Sequence, residues 1–177
     1  MSQLKVNSIV PVNGLPAGSS GGIIQVKQTV KTDEFSNSTQ DSFFDLTGIN
    51  VSITPSSNSN KILVLVNLEV SMPNELGCFR LLRDSTVINV STAGSSINGF
   101  GHCDGESYNN SSRSSEDVTC CFLDSPSTTS SVTYKVQLRK NGNSTMRLNR
   151  RNLNGSVGWT STITATDRDW ETTSYIF

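Results

Sequence analysis

The sequence predicts an all-β protein, an antiparallel β-sandwich of jelly-roll type with a short extended N-terminal segment. Apolar and polar residues alternate along many short runs, turn-forming residues separate the runs, and no stretch has the apolar period of a helix. About eight to ten such runs occur along the chain. That number of short strands is typical of two antiparallel sheets packed face to face.

The composition is polar, and it excludes several classes of protein. Ser, Thr and Asn make up 64 of the 177 residues, whereas charged residues make up 16%. A net charge of -1 argues against a nucleic-acid partner. The longest apolar run, residues 62–66, is far shorter than the roughly 20 residues of a membrane-spanning helix, so no membrane insertion is expected. The polar excess fits sheets that bury only one face.

The clearest strands are residues 49–53, 132–138 and 159–166, in which every second residue is apolar or small. This period of two is typical of a strand buried on one face. Residues 61–70 differ because they are apolar on both faces at their start. They predict a central strand that is covered on both sides.

Turn chemistry predicts one particular hairpin. Asn141 and Gly142 stand between two apolar runs, residues 132–140 and 144–150. Asn-Gly is the strongest short-range hairpin signal because its left-handed turn matches the twist of the flanking strands. The two runs are therefore predicted to pair with each other.

The chain divides into three parts. Residues 1–22 combine a short apolar head with Gly and Pro, which predicts an attachment segment and linker. Residues 23–166 are predicted to form the sandwich, with a long loop at 91–117 that is either functional or disordered and contains one short strand near 97–100. Residues 167–177 are an extension that is either an extra strand or a frayed end.

Metal, cofactor and catalytic sites are weakly marked. The single histidine, His102, stands beside Cys103, Asp104 and Glu106 in the long loop, but the spacing of a structural zinc site is absent. Adjacent loop residues seldom reach the geometry of a nucleophile and its base. The sequence therefore predicts no cofactor, no metal and no enzymatic activity.

The four cysteines are predicted to be thiols, because no secretory signal precedes them. Cys78 and one of Cys120 or Cys121 are expected in the core, since neighbouring strand residues point to opposite faces. A basic group, comprising Arg147, Arg150 and Arg151, is expected on a solvated face or against an anionic partner.

One cluster in the long loop has the chemistry of a receptor site. Sugar-binding surfaces combine exposed aromatic faces with amide and guanidinium groups. The candidate receptor-binding residues are Phe100, His102, Tyr108, Asn109 and Arg113. The alternative is that Phe100 anchors the loop to the core.

A set of phrases covers most of the chain, namely residues 1–33, 43–56, 60–64, 80–83, 122–130, 132–137, 148–150 and 161–164. Together these phrases resemble the small tail-fibre-like proteins of marine bacteriophages. Residues 91–117 and 167–177 depart from the pattern. The resemblance implies a virion component of the tail, made in the bacterial host cytoplasm.

The partners that the resemblance implies are identical subunits in a homotrimer, other tail proteins and the host surface. Residues 1–22 would attach to the tail, and the sandwich would contact a host glycan or protein as a tail fibre or tail-tip protein. Two alternatives stay open. One is a structural adaptor or decoration protein without receptor binding, and the other is a glycan-degrading tail enzyme, for which no pair of carboxylates is singled out.

Overall fold

A computed structural model describes residues 22–72, 76–93, 98–104, 115–150 and 157–168. Every regular element in these ranges is a strand, which confirms the predicted all-β class. No helix in the described ranges is long and apolar enough to cross a membrane. The strands are β1 (Ile23–Lys31), β2 (Phe35–Asn37), β3 (Phe44–Ile53), β4 (Lys61–Ser71), β5 (Leu76–Arg83), β6 (Thr86–Ile88), β7 (Gly101–Asp104), β8 (Glu116–Asp124), β9 (Val132–Lys140), β10 (Met146–Leu148) and β11 (Ser161–Arg168).

These strands form two antiparallel sheets, each four positions wide. In sheet A, β1 pairs with β11, β11 with β4, and β4 with β8. Strand β10 pairs with β4 beyond the end of β11, and β2 pairs with β10, so β2 and β10 extend the positions of β1 and β11. In sheet B, β3 pairs with β9 and β9 with β5, while β6 and β7 share the far edge of β5.

The order of these positions is that of a jelly roll. Numbered in chain order, with β1/β2 first, β6/β7 fifth and β10/β11 eighth, sheet A reads 1-8-3-6 and sheet B reads 2-7-4-5. Successive positions thus alternate between the sheets in two Greek keys, except where β5 leads directly to β6. The predicted jelly-roll sandwich is confirmed.

A single apolar core lies between the sheets. Alternate residues of β4 and β9 point inward, and Val64, Leu68, Val136 and Leu138 are fully buried. The largest buried side chains include Tyr134 and Phe79 from sheet B. The core is one aliphatic layer thick with few aromatics, as the composition predicts.

One part of the prediction for residues 61–70 is wrong. Strand β4 is central in its sheet, since β11 and β8 pair with its two edges. None of the described residues of this chain forms a second layer over its outer face, where Leu65 is 42% exposed and Asn67 is exposed beside it.

The predicted hairpin at Asn141-Gly142 is also wrong. Strand β9 belongs to sheet B, whereas β10 pairs with β4 and β2 in sheet A. Neither Asn141 nor Gly142 has the positive φ that the hairpin turn requires. Asn141 instead forms hydrogen bonds with both backbone groups of Leu76, so this segment closes the end of β5 and carries the chain across to the other sheet.

Two boundaries differ from the sequence prediction. Strand β11 runs to Arg168, two residues beyond 166, because the fully buried Asp167 accepts hydrogen bonds from the Ser56 amide and the Asn60 side chain. Strand β7 and the start of β8 lie within the expected loop 91–117. Residues 1–21, 94–97, 105–114 and 169–177 lie outside the described residues.

The outer face of sheet B is charged and satisfied by its own contacts. Asp45 accepts hydrogen bonds from Lys135 at 2.9 Å and from Gln137 at 2.6 Å. Arg80 donates to Gln137 and lies 3.7 Å from the centre of the Phe43 ring. This is the pattern of a surface that faces water.

The outer face of sheet A is different, because its centre carries no charged residue. The strand registers place twelve residues on this face between the ends of the strands. We call them the threonine-aliphatic face: Val26, Gln28, Val30, Leu63, Leu65, Asn67, Thr119, Cys121, Leu123, Thr162, Thr164 and Thr166.

Glu69 and Asp117 face each other on β4 and β8 at one end of this face. Burial raises the pKa of Glu69 from 4.5 to about 7, and the hydrogen bond and charge of Asp117 add to the effect. A raised folded-state pKa means that the stabilising contribution is complete below pH 4.5 and is lost as the pH rises to about 7.

We therefore expect Glu69→Gln to remove this loss. Like charges directly opposite each other on a sheet cost up to about 1 kcal/mol, so the variant should exceed the wild type by roughly 0.5 kcal/mol at pH 8 and match it near pH 4. Urea denaturation at the two pH values measures the difference. An identical difference at both pH values would contradict the raised pKa of Glu69.

Candidate functional site

An open pocket of about 490 Å³ lies at the edge of sheet B, where β7 joins β5. Two of the five residues predicted from the sequence, Phe100 and His102, line it. Tyr108, Asn109 and Arg113 lie outside the described residues. The other walls include Leu76, Cys78, Asn98 and Gly99.

Phe100 is held in place from both its backbone and its ring. Its amide donates to the Phe79 carbonyl at 2.8 Å, and the two ring centres are 6.3 Å apart at a tilt of 38°. Phe79 is fully buried, so Phe100 anchors its segment to the core, as the alternative interpretation predicted. The same ring also forms part of the pocket wall.

Gly99 lets the chain lie against β5. A Cβ at this position would be 2.0 Å from the Phe79 carbonyl oxygen and 2.7 Å from the Cys78 sulfur. Real Cβ atoms do not come that close to backbone, so no other residue fits without moving the segment. Because Gly99 has no side chain, its segment can lie directly over Cys78.

His102 and Cys103 point to opposite faces of β7. Cys103 is 2% exposed in the core beside Gly77, whereas His102 is exposed across from Cys78. They therefore cannot bind one metal ion together. The described part of the chain contains no group of three His, Cys, Asp or Glu residues placed to hold a metal.

The thiol nearest the pocket is poorly suited to nucleophilic chemistry. Cys78 is 8% exposed, and burial raises its pKa although Arg139 and Arg80 act in the opposite direction. A thiol with a raised pKa stays protonated near neutral pH, and the thiolate is the reactive form. Cys78 is therefore a poor candidate for a nucleophile at this pocket.

The basic group predicted after β10 is partly neutralised. Glu34 accepts hydrogen bonds from both Arg147 and Arg150, and these arginines lower its pKa, Arg150 most strongly. Arg151 lies outside the described residues. The pair of arginines thus holds the β1–β2 connection to β10, which reduces its capacity to bind an anion.

Comparison with known proteins finds no sequence match and structural matches of low sequence identity. No family model matches the chain. No curated protein matches it. Among solved structures, it is similar to a chain of "Structure of infectious bursal disease virus Gx strain", at 9% identity and a TM-score of 0.40 over 93% of this chain.

A chain of "Structure of infectious bursal disease virus Gt strain" is similar at 11% identity and a TM-score of 0.42, also over 93% of this chain. This chain spans 46% and 45% of the lengths of those two chains. The likeness is too distant to bear on function.

Sequence reasoning missed most of the residues that line the pocket, among them Leu76, Cys78 and Gly99. Leu76 and Cys78 belong to β5, which is far from the loop in sequence. A signal for Gly99 was present, since a glycine on each side of Phe100 marks a place where backbone approaches backbone.

Proposed function

We propose that this chain is a non-enzymatic virion component of a bacteriophage, a tail fibre or tail-tip protein that binds a glycan of the host surface in the pocket at β7. The observation that carries the proposal is the pocket itself. Its lining includes the aromatic residue Phe100, the amide residue Asn98 and the imidazole residue His102.

These three groups match the chemistry of a sugar. The apolar face of a pyranose packs on an aromatic ring, and its hydroxyls exchange hydrogen bonds with amide and imidazole groups. The pocket is open and of ordinary ligand size, at about 490 Å³. An open site suits the end or branch of a polymer that remains attached to a cell.

The non-enzymatic assignment is supported by the groups that surround the pocket. Glycoside hydrolysis normally uses two carboxylates on either side of the bond. None of the described residues that line the pocket is Asp or Glu. Cys78 is buried beneath Gly99, and its pKa is raised by that burial.

The sequence resemblance supports the placement in a tail. It implies synthesis in the host cytoplasm, attachment through residues 1–22 and assembly as a homotrimer. A thin core of this kind gains apolar burial when subunits pack together. Mass determination in solution tests the assembly, and a strict monomer at micromolar concentration would contradict the trimer.

The test of the binding role is His102→Ala. Its side chain is exposed, so the fold should tolerate the change while binding to an array of bacterial surface glycans weakens by about tenfold, the loss of one or two hydrogen bonds. Lys135→Ala, on the outer face of sheet B, is the matched control and should bind as the wild type does.

Equal binding by both variants would exclude the pocket as the glycan site. No binding by the wild type to any glycan would favour the structural adaptor or decoration role. Release of reducing sugar from a bound polysaccharide would instead favour the enzyme.

A further inference from the structure

We propose that the threonine-aliphatic face of sheet A is the surface on which copies of this chain pack against one another. The inference rests on the self-association in the proposed function, and it assigns that association to particular residues. It does not depend on what the pocket binds.

The register of four neighbouring strands defines the face as three rows of four residues. The central row crosses β1, β11, β4 and β8, and the rows on either side consist of uncharged threonine, aliphatic and, in one of them, amide side chains. The central row is Gln28, Thr164, Leu65 and Cys121. Gln28 donates to the Thr164 hydroxyl at 3.0 Å, so the amide in this row has a partner on the face itself.

Large apolar side chains on this face are open to solvent. Val26 is 54% exposed, Val30 is 50% exposed and Leu65 is 42% exposed. At the β1 edge, Ile23 and Ile24 are 67% and 52% exposed, which continues the same surface. Single exposed aliphatic residues are ordinary, whereas a contiguous group of them marks an interaction surface.

The charges of the two sheets show which outer face is built for water. Sheet B binds its charged groups to one another, for example Asp45 to Lys135. The threonine-aliphatic face has no charged residue among its twelve positions. The charges on this side of the described strands lie beyond its ends, at Lys61 and Arg168 next to Ile23 and at Glu69 and Asp117 at the other end. This is the arrangement of an interface with an uncharged centre and a polar rim.

The uncharged centre makes a second copy a suitable occupant. Packing two such surfaces together buries no unpaired charge, so neither copy incurs the large cost of desolvating one. Threonine and valine side chains are also stiff at χ1, so they lose little freedom when they are covered.

The area of the face indicates how the copies meet. Four strands spaced about 4.8 Å apart and three rows spaced about 6.8 Å apart cover roughly 400 Å². Two such faces alone would bury roughly 800 Å², less than the about 1,200 Å² of a stable interface. The second copy must therefore also use the adjoining β1 edge, where Ile23 and Ile24 are exposed.

An edge packed on a neighbour's face is a heterologous contact, which forms a ring when the rotation between subunits closes. This is the kind of contact that a homotrimer requires. The β1 edge of one subunit would lie over the central row of the next, covering its Leu65 and Cys121.

Cysteine reactivity tests the inference in the full-length wild-type chain. Cys78, Cys103 and Cys120 are buried in the fold, and Cys121 on the face is exposed in the single chain. We expect no reaction of native oligomer with a thiol reagent such as DTNB, and reaction of all four thiols after unfolding. Full reaction of Cys121 in the native oligomer would overturn the proposal.

Leu65→Lys tests the same surface by placing a charge at its centre. We expect a monomer with one reactive thiol, while Ser52→Lys, exposed on the outer face of sheet B, stays oligomeric and unreactive. Four reactive thiols would show that Leu65→Lys has unfolded, and Thr164→Arg then serves as the test. If the charged variant is folded and still forms the oligomer, the proposal is overturned.

The outcomes separate this inference from the function on which it rests. If the wild type is an oligomer with Cys121 protected but binds no glycan, the face is assigned correctly and the receptor role fails. If the wild type binds glycan as an oligomer with Cys121 reactive, the receptor role holds and the face is wrong. If the wild type is a monomer, the threonine-aliphatic face is not an interface between copies. This holds also if Cys121 is unreactive in that monomer because the chain's own N-terminal segment protects it.

Discussion

Asp124→Ala is expected to lower the free energy of unfolding by about 2–4 kcal/mol, because it leaves the buried Tyr134 hydroxyl and the partly buried Arg83 guanidinium without their acceptor. Asp124 accepts hydrogen bonds from Arg83 at 2.7 and 2.8 Å and from the Tyr134 hydroxyl at 2.7 Å. Tyr134 is fully buried, and its pKa is raised by burial and by Asp124, so its hydroxyl stays protonated and needs an acceptor. Chemical denaturation measures the loss.

Asp45→Ala is the matched control for this change. It also removes an aspartate that accepts from a cation and a neutral donor, Lys135 and Gln137, but on the outer face of sheet B with the carboxylate half exposed. Exposed pairs contribute about 0–1 kcal/mol, so the control should change little. Equal losses in the two variants would show that the buried cluster contributes no more than a surface pair.

Gly99→Ala is expected to displace the segment that forms the pocket wall and to cost about 1–3 kcal/mol, the range for overpacking. The added Cβ would meet backbone, the Phe79 carbonyl oxygen, which cannot rotate away as a side chain can. Displacement uncovers Cys78, so one more thiol should react than in the wild type. Glycan binding should fall with it.

Gly101→Ala provides the comparison in the same segment. A Cβ there meets only Val118 Cγ1, at 3.4 Å, an ordinary contact. Its stability and thiol count should match those of the wild type within about 0.5 kcal/mol. If Gly99→Ala leaves Cys78 unreactive and glycan binding intact, the close approach at Gly99 does not shape the pocket.

Features that depend on local periodicity could be predicted from the sequence. Alternation along residues 132–138 specifies one buried face, and the structure buries Tyr134, Val136 and Leu138 in that register. The polar exterior also follows from composition, because Thr162, Thr164 and Thr166 occupy the outward positions of β11. The all-β sandwich was therefore accessible without coordinates.

Features that depend on the path between sheets could not be predicted. Asn141-Gly142 has the composition of a hairpin turn, yet here the chain leaves one sheet and enters the other. Residues far away in the sequence determine this path. One of them is Leu76, whose carbonyl accepts a hydrogen bond from the Asn141 amide and whose amide donates to the Asn141 side chain. The prediction that residues 61–70 are covered on both faces fails at Leu65 for a similar reason. The sequence of one strand does not reveal what packs on its outer face.

The candidate site was predicted in part. Phe100 and His102 were singled out for their chemistry, and both line the pocket. Their neighbours on β5 were not, because the antiparallel register that sets Cys78 opposite His102 joins residues 24 positions apart. Sequence reasoning identifies which residue types bind sugars, whereas pairing of strands decides which of them meet.

The strand order also sets when this protein can fold during its synthesis. In the described chain β1 pairs only with β11. Lys31 therefore cannot pair until Ser161 has been synthesised, and Ile23 cannot pair until Arg168 has been. A ribosome that adds residues at about 5–20 per second leaves β1 without a partner for several seconds, with its aliphatic edge unpaired. Contacts of such long range also slow folding itself. Sheet A is therefore completed only after translation has passed β11, and the cell must keep nascent chains from associating through β1 before that moment.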